Sequence, residues 1–234
     1  MVLSCEHGGN RVPSAYAALF EGRRAQAALA SHRGYDPGAL DVARALARRF
    51  KLPLHAATVT RLLVELNRSH GHRTLFSEFS AGLDAAERKK LIEHHYLPHR
   101  EAVAAAIQAA PAAPVLHVAV HSFAPVFKRV RRRADIGLLY DSARPLERAL
   151  SQRWQRALAT LAPELRVRRN YPYLGKADGL TTALRRRFAP ERYFGIELEI
   201  NQALLTGSPE LRRRTVSALA ASLDMLINDC STGA

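Results

Sequence analysis

Short apolar runs alternate with polar segments rich in glycine and proline along the 234-residue chain. Residues 115–120 are apolar except for one histidine, and residues 136–140 form a second such run. Continuous apolar runs of this length are typical of strands that are buried on both faces of a parallel sheet. Further strands are predicted at residues 2–5, 54–59, 62–66, 165–169 and 193–200.

Helical periodicity fills the intervals between these predicted strands. One helix is predicted to start at Asp36-Pro37 and to end at Lys51-Leu52-Pro53, and a long one spans about 84–109 with a bend near Pro98. Other helices are predicted after Pro13 and over residues 146–161, 179–188 and 210–227. This alternation predicts an α/β fold in which residues 1–234 form a single three-layer domain. Helices are expected to cover both faces of a mostly parallel, mixed sheet.

The composition is that of a globular protein, with 47% hydrophobic and 24% charged residues. No run of about 18 apolar residues occurs that could span a bilayer, and the first residues do not resemble a signal peptide. Only two cysteines are present, which is too few for a disulfide framework. We therefore expect a protein of the reducing cytoplasm with no membrane partner.

The formal net charge of +14 arises from 35 Lys and Arg against 21 Asp and Glu. Such an excess can attract nucleic acid or small anionic substrates. Arginine clusters at 131–133, 185–187 and 212–214 are accompanied by no zinc-finger spacing, RNP aromatic pattern or heptad-linked basic region. We expect these arginines to lie on solvated faces, so a nucleic-acid partner is not favoured, although a basic nucleic-acid-binding protein is the alternative from another class.

Polar side chains stand where several predicted strands end, which is where α/β sheets place their working groups. His7 follows the first strand beside two glycines, and His121 ends the run at 115–120. Neutral imidazole is a good zinc ligand, and histidines from two strands can converge above one sheet. A catalytic zinc site needs a third protein ligand. The candidates for it are Asn10, Glu6 and Asp36.

Two glutamates, Glu197 and Glu199, lie two residues apart in the last predicted strand, so both carboxylates are expected on one face of the sheet. A buried carboxylate is costly unless it is paired, binds a metal or has a raised pKa. We expect one of the pair to be the general base that activates water and the other to be held by an arginine. In Asn67-Arg68, the planar guanidinium suits bidentate binding of a substrate carboxylate.

Seven motifs in order together resemble the N-formylglutamate amidohydrolase family over nearly the whole chain. They are SCEHGGNRVP at 4–13, YDPGA at 35–39, RLL at 61–63 with NR at 67–68, HSF at 121–123, DIGLLYD at 135–141, NYPYLGKADG at 170–179 and GIELEINQ at 195–202. The resemblance implies a phosphorylase/hydrolase-like fold akin to the zinc carboxypeptidases. It also implies a metal-dependent hydrolysis of linear amides.

By this resemblance His7 and His121 would bind a divalent metal, zinc by preference, and Glu199 would be the general base. Asn67 and Arg68 would hold the substrate carboxylate. The carboxypeptidase pattern has a glutamate where Asn10 stands, so Asp36 or Glu6 replaces it as a ligand, or the metal is bound weakly.

The substrate implied by the resemblance is a small N-acyl amino acid, N-formyl-L-glutamate or a close analogue. Arg61, Arg68 and Arg133 are expected to supply positive charge for its carboxylates, and Tyr140 and Tyr173 are expected to line the pocket. Besides the nucleic-acid-binding alternative, a family member that has lost catalysis is the second alternative, because Asn10 departs from the pattern.

Overall fold

A six-stranded sheet forms the centre of the molecule in the computed structural model, which describes residues 1–111 and 114–231, with side chains as far as residue 228. Its strands are β1 (Val2–Cys5), β2 (Leu54–Ala56), β3 (Val115–Phe123), β6 (Ile136–Leu139), β7 (Val167–Arg169) and β8 (Tyr193–Asn201). A separate hairpin consists of β4 (Val126–Phe127) and β5 (Val130–Arg131). The order in the sheet is β2-β1-β3-β8-β6-β7, and all neighbours are parallel except β6 and β8.

Helices cover both faces of the sheet. The helices of the described residues are α1 (Arg23–Leu29), α2 (Ala39–Phe50), α3 (Ala85–Leu91), α4 (Leu97–Ala109), α5 (Pro145–Leu161), α6 (Leu180–Arg187), α7 (Gln202–Thr206) and α8 (Pro209–Ser231), of which α1 and α3 pack in a separate cluster away from the sheet. Leu3 packs in the core under α2, α5 and α8, whereas its neighbour Val2 packs in a cluster with residues of α4 and α6. Because successive strand residues point to opposite faces, these two clusters lie on either side of the sheet. The predicted α/β class with a mostly parallel, mixed sheet is confirmed.

His117 is the polar residue in the otherwise apolar β3, and its role is structural. Its Nε2 lies 2.8 Å from the Ser4 hydroxyl, and its Nδ1 lies 2.8 Å from the Tyr193 hydroxyl. Burial lowers the pKa of His117 to about 4, so the ring is neutral and can donate at one nitrogen and accept at the other. These bonds link β1, β3 and β8, the strands that carry the site described below.

Several predicted elements differ from those observed. Residues 62–66 are buried turns rather than a strand, because their side chains pack in a separate apolar cluster with Phe20, Leu75 and Tyr96 instead of on the sheet. After Pro13 a 3₁₀ helix (Ser14–Phe20) precedes α1. The long helix over 84–109 begins with an Asp84 cap and contains a π-helical segment (Ile92–Tyr96) immediately before the predicted bend near Pro98. None of the described helices is long and apolar enough to cross a membrane.

Candidate metal centre and active site

The site lies at the carboxyl ends of three adjacent parallel strands. His7 follows β1 after one residue, His121 lies near the end of β3, and Glu199 lies near the end of β8. The register pairs His121 directly with Glu199 across the β3–β8 ladder. Parallel strands end at the same edge of a sheet, so these three side chains are brought together although they are far apart in the sequence.

Asp36 joins the two histidines. Its Oδ2 lies 2.9 Å from His121 Nδ1 and 3.3 Å from His7 Nδ1, and all three residues are buried. One ligand atom from each lies within 4.8 Å of the others. The segment that carries Asp36 is held in place because its backbone N–H donates to the His7 carbonyl at 2.9 Å. Two imidazoles and a carboxylate are a donor set that zinc accepts.

A second carboxylate faces the far side of each imidazole. Glu65 Oε1 contacts His7 Nε2, and Glu6 Oε2 lies 2.9 Å from His121 Nε2. The Glu6–His121 contact has the distance of an ion pair but not the angles of a hydrogen bond. Carboxylates behind metal-binding histidines fix the ring orientation and leave the other nitrogen to the metal. The arrangement therefore directs both Nδ1 atoms toward Asp36.

The electrostatics of this cluster favour a cation. Burial by itself would lower the pKa of both imidazoles. The hydrogen bond that His121 donates to Asp36, together with the nearby Glu6, nevertheless raises the pKa of His121 well above its ordinary value, and Glu65 and Asp36 raise that of His7. Against its own burial, Asp36 has a lowered pKa because of the two histidines. A divalent ion would take the place of the imidazole protons, so the residues present suit a metal.

Glu199 is buried beside this cluster, and its Oε2 has no hydrogen-bond partner among the described residues. Burial, followed by the nearby negative charges of Asp36 and Glu197, raises the pKa of Glu199 to about 7. Its partner in the predicted pair, Glu197, accepts a hydrogen bond from the Thr181 hydroxyl at 2.6 Å. The expectation that an arginine holds Glu197 is wrong, because α6 supplies a hydroxyl at that position.

A cavity of about 190 Å³ opens over the cluster. Nine of the predicted site residues line it: His7, Asp36, Arg61, Asn67, Arg68, His121, Tyr173, Glu197 and Glu199. A larger cleft of about 390 Å³ lies elsewhere and contains none of them. We regard the smaller cavity as the candidate active site because the cluster and the uncompensated Glu199 carboxylate both face it.

The two arginines of the cavity are bonded differently. Arg61 is turned toward the acids: its Nε donates to Glu65 at 2.6 Å, its Nη1 donates to Asp36 at 3.3 Å, and its Nη2 also contacts Glu65. Within the described part of the chain, Arg68 donates only from Nη1, to the carbonyls of Asp178 and Asn67. Arg61 is therefore committed to orienting the two acids, whereas Arg68 keeps donors for an anion.

The loop 170–178 forms one wall of the cavity. Asn170 anchors it, because its Oδ1 accepts from the backbone N–H groups of Tyr140 and Gly175 at 3.1 and 3.0 Å. Tyr173 and Leu174 of this loop line the cavity. Gly137 lets the loop approach β6, since a Cβ there would collide with the Tyr171 carbonyl and meet Glu199 Cβ at 3.2 Å.

Four predicted site residues do not line the cavity, and one of them is Glu6, which lies behind His121. Asn10 is exposed and its amide donates to the Leu29 carbonyl at 3.0 Å, so it lies apart from the cluster of His7, Asp36 and His121. Arg133 is exposed, because the neighbouring Arg132 is the one that turns inward. Tyr140 packs in the main core under the sheet instead of facing the cavity.

Other residues of the site were not predicted. Glu65 lies behind His7, and His32 lies in the cavity wall. Arg132 stacks on Phe123 and Tyr173 of the wall, with its guanidinium carbon 5.6 and 5.0 Å from the ring centres. An acid inside the apolar run 62–66 was the one sequence signal for Glu65. His32 stands in a polar segment that gave no signal, whereas Arg132 stands in the arginine cluster 131–133, from which Arg133 was the predicted site residue.

Comparisons with known proteins give a consistent result. The sequence model of the N-formylglutamate amidohydrolase family matches residues 1–206. A gene product from Agrobacterium tumefaciens has a similar crystal structure (TM-score 0.78, 28% identity, covering 98% of this chain and 91% of that one). An N-formylglutamate amidohydrolase from Ralstonia eutropha is also similar (TM-score 0.69, 20% identity, 97% and 93% coverage).

A metallo-carboxypeptidase from Burkholderia cenocepacia aligns with a TM-score of 0.43 at 14% identity, covering 97% of this chain and 57% of that one. No curated protein sequence matches the chain.

Proposed function

The chain belongs to the N-formylglutamate amidohydrolase family, and from this premise we propose that it is a metal-dependent hydrolase of a linear N-acyl amino acid, N-formyl-L-glutamate or a close analogue. One observation carries the proposal: the Nδ1 atoms of His7 and His121 converge on Asp36 Oδ2 beneath a cavity that also contains Glu199. The products would be a carboxylic acid and a free amino acid.

His7, Asp36 and His121 would hold a divalent ion, zinc by preference, although the same donors also accept cobalt, manganese or iron. When bound, such an ion supplies Lewis acidity that polarises an amide carbonyl and makes water more acidic. Glu65 and Glu6 keep the two imidazoles oriented for this role.

Glu199 is the proposed general base. Its Oε2 has no partner in the described structure and is therefore available to accept a proton from the attacking water. Its pKa of about 7 suits proton transfer near neutral pH in both directions. After the attack, Glu199 would donate the same proton to the nitrogen of the leaving amine. Glu197, held by Thr181, would complete the polar floor beside it.

Arg68 is the proposed anchor for a substrate carboxylate. Its Nε and Nη2 donate to none of the described residues, and Arg68 lines the cavity near Asn67. Oδ1 of Asn67 accepts a hydrogen bond from the Leu180 N–H at 2.6 Å, so the amide nitrogen of Asn67 points away from Leu180. A cavity of about 190 Å³ suits a small acyl amino acid.

The test is hydrolysis of N-formyl-L-glutamate by zinc-loaded protein, followed as release of formate and of free glutamate. N-formyl derivatives of uncharged amino acids and longer N-acyl glutamates would be assayed beside it to define the substrate. The proposal requires equal amounts of the acid and the amine, and their loss in Glu199→Gln. Zinc-loaded protein that cleaves none of these amides would contradict it.

A further inference from the structure

A second cleft, of about 390 Å³, opens between the segment around β2 and the start of α4. Its basic lining residues are Arg11, His55, His94, His95 and His99. His95 and His99 have the i, i+4 spacing of a possible metal site, but these histidines do not form a group that could hold a metal ion among the described residues. His99 instead reaches inward, toward the metal centre.

Glu6 connects this cleft with the metal centre. Its carboxylate is fully buried, with Oε1 3.1 Å from His99 Nε2 and Oε2 2.9 Å from His121 Nε2. No other described side chain bonds to it. One buried carboxylate thus lies between a candidate metal ligand on β3 and a histidine on α4.

The start of α4 is itself fixed. Around His99, the Tyr96 hydroxyl donates to the Arg68 carbonyl at 2.8 Å, and Arg100 Nη1 donates to the Leu66 carbonyl at 2.8 Å. These bonds tie the helix on both sides of His99 to the segment that carries Asn67 and Arg68. The imidazole of His99 is therefore presented to Glu6 from a rigid support.

We propose that His99 is a positioning residue of the metal centre, which fixes Glu6 and, through Glu6, the orientation of His121. This inference rests on the proposed function. Without His99, Glu6 Oε1 is left buried and unpaired, and a buried acceptor without a partner is costly. The carboxylate then turns or draws in water, and the Nε2 side of His121 loses its fixed partner. Loss of such an outer carboxylate contact typically costs 10–100-fold in metal affinity.

The experiment is a zinc titration in competition with a fluorescent chelator, applied to purified metal-free protein. His99→Leu is expected to weaken zinc binding about 10–100-fold. His99→Gln, whose Nε2 can donate to Glu6 from nearly the same position, is expected to restore most of the affinity. His95→Ala, which alters the same cleft without touching Glu6, is the matched control and is expected to bind like the wild type.

A double-mutant cycle separates positioning from general loss of packing. In the Glu6→Gln background the acceptor charge is absent, so His99→Leu is expected to cause little further loss of zinc affinity. Because Glu6→Gln replaces the carboxylate by a neutral amide, His99→Leu leaves no unpaired buried charge at residue 6 in this background, and the double variant is expected to fold.

Equal zinc affinity of wild type and His99→Leu, full additivity with Glu6→Gln, or failure of His99→Gln to restore affinity would each overturn the inference while leaving the proposed function intact. A wild-type protein that binds no zinc would overturn both.

Discussion

At the scale of one residue, the buried carboxylate of Glu199 lowers the stability of the folded protein when it is ionised. A carboxylate whose pKa burial raises from 4.5 to about 7 is protonated in the folded protein at pH values where the unfolded chain has released the proton. The folded state is therefore favoured at low pH, and this contribution is lost as the pH rises from 4.5 to about 7.

Replacing Glu199 with the neutral isostere Gln is expected to stabilise the metal-free protein. The rise in pKa corresponds to a gain of up to about 3 kcal/mol in the free energy of unfolding at pH 8. The gain is expected to shrink toward pH 5, where the wild-type carboxyl is already protonated in the folded state. Urea unfolding of both proteins at the two pH values measures this, and a less stable variant at pH 8 would contradict it.

The same group predicts the pH dependence of catalysis. A general base must be ionised, so kcat/KM of the wild type is expected to fall as the pH drops below about 7. A bound cation lowers the pKa of a neighbouring carboxyl, which places the inflection at or below that value. A pH–rate profile from pH 9 down to the acid limit of folding tests this expectation, and a kcat/KM that shows no fall on the acid side would rule out Glu199 as the base.

Arg68 and Arg133 form a matched pair for substrate binding, because one lines the cavity and the other is exposed outside it. Arg68→Ala is expected to raise KM for N-formyl-L-glutamate by roughly 10-fold or more, since a charged hydrogen bond is worth about 1.5–3 kcal/mol. Arg133→Ala is expected to leave KM unchanged. Steady-state kinetics of the two variants test this prediction. An equal KM for both would mean that another group binds the substrate carboxylate.

At the scale of elements, the loop 170–178 depends on its close approach to β6. A methyl group at Gly137 would collide with the Tyr171 carbonyl, which is backbone and cannot rotate away. Gly137→Ala is therefore expected to lower the free energy of unfolding by about 1–3 kcal/mol and to reduce activity by displacing the cavity wall.

The control for this prediction is Gly82→Ala, where an added Cβ meets nothing within 4 Å. Its stability is expected to stay within about 0.5 kcal/mol of the wild type. Urea unfolding compares the two variants. A fully stable and active Gly137→Ala would mean that the loop can move without consequence.

The buried strands could be predicted from the sequence because their environment dictates their composition. β3 and β8 are covered on both faces, so nearly continuous apolar runs marked them, and the polar residues at their ends marked the site. The antiparallel direction of β6 relative to β8 could not be predicted, because an apolar run carries no direction. Residues 62–66 have the composition of a strand, but they pack against α1, the 3₁₀ helix before it and the end of α3 instead of on the sheet.

The third member of the metal cluster illustrates the other limit of the sequence. The sequence left Asn10, Glu6 and Asp36 as candidates, with asparagine the poorest zinc ligand of the three, and only the path of the chain separates the two acids. Asp36 reaches the histidines through a backbone bond to His7, whereas Glu6 turns to the opposite side of His121. The contact of Glu65 with His7 could not be predicted for the same reason, since it joins residues 58 positions apart in the sequence.

At the scale of the whole molecule, the positive charge does not by itself define a partner. Part of the arginine excess is bonded internally: Arg185 is buried against Glu147, and Arg213 and Arg214 pair with Glu210. That nucleic acid is not a partner and that residues 1–234 form one domain both stay predictions. The arrangement of three strands, two outer carboxylates and one cavity around a single cluster is what the proposed activity depends on.

The most direct measurement of the central claim is metal content by elemental analysis of zinc-reconstituted wild type, His7→Ala, Asp36→Ala and His121→Ala, with His94→Ala as a control outside the cluster. We expect about one zinc per chain in wild type and control. We expect little or none in the three cluster variants. Wild-type protein that retains no metal after reconstitution, or cluster variants that retain it fully, would contradict the claim and leave the inactive or nucleic-acid-binding alternatives.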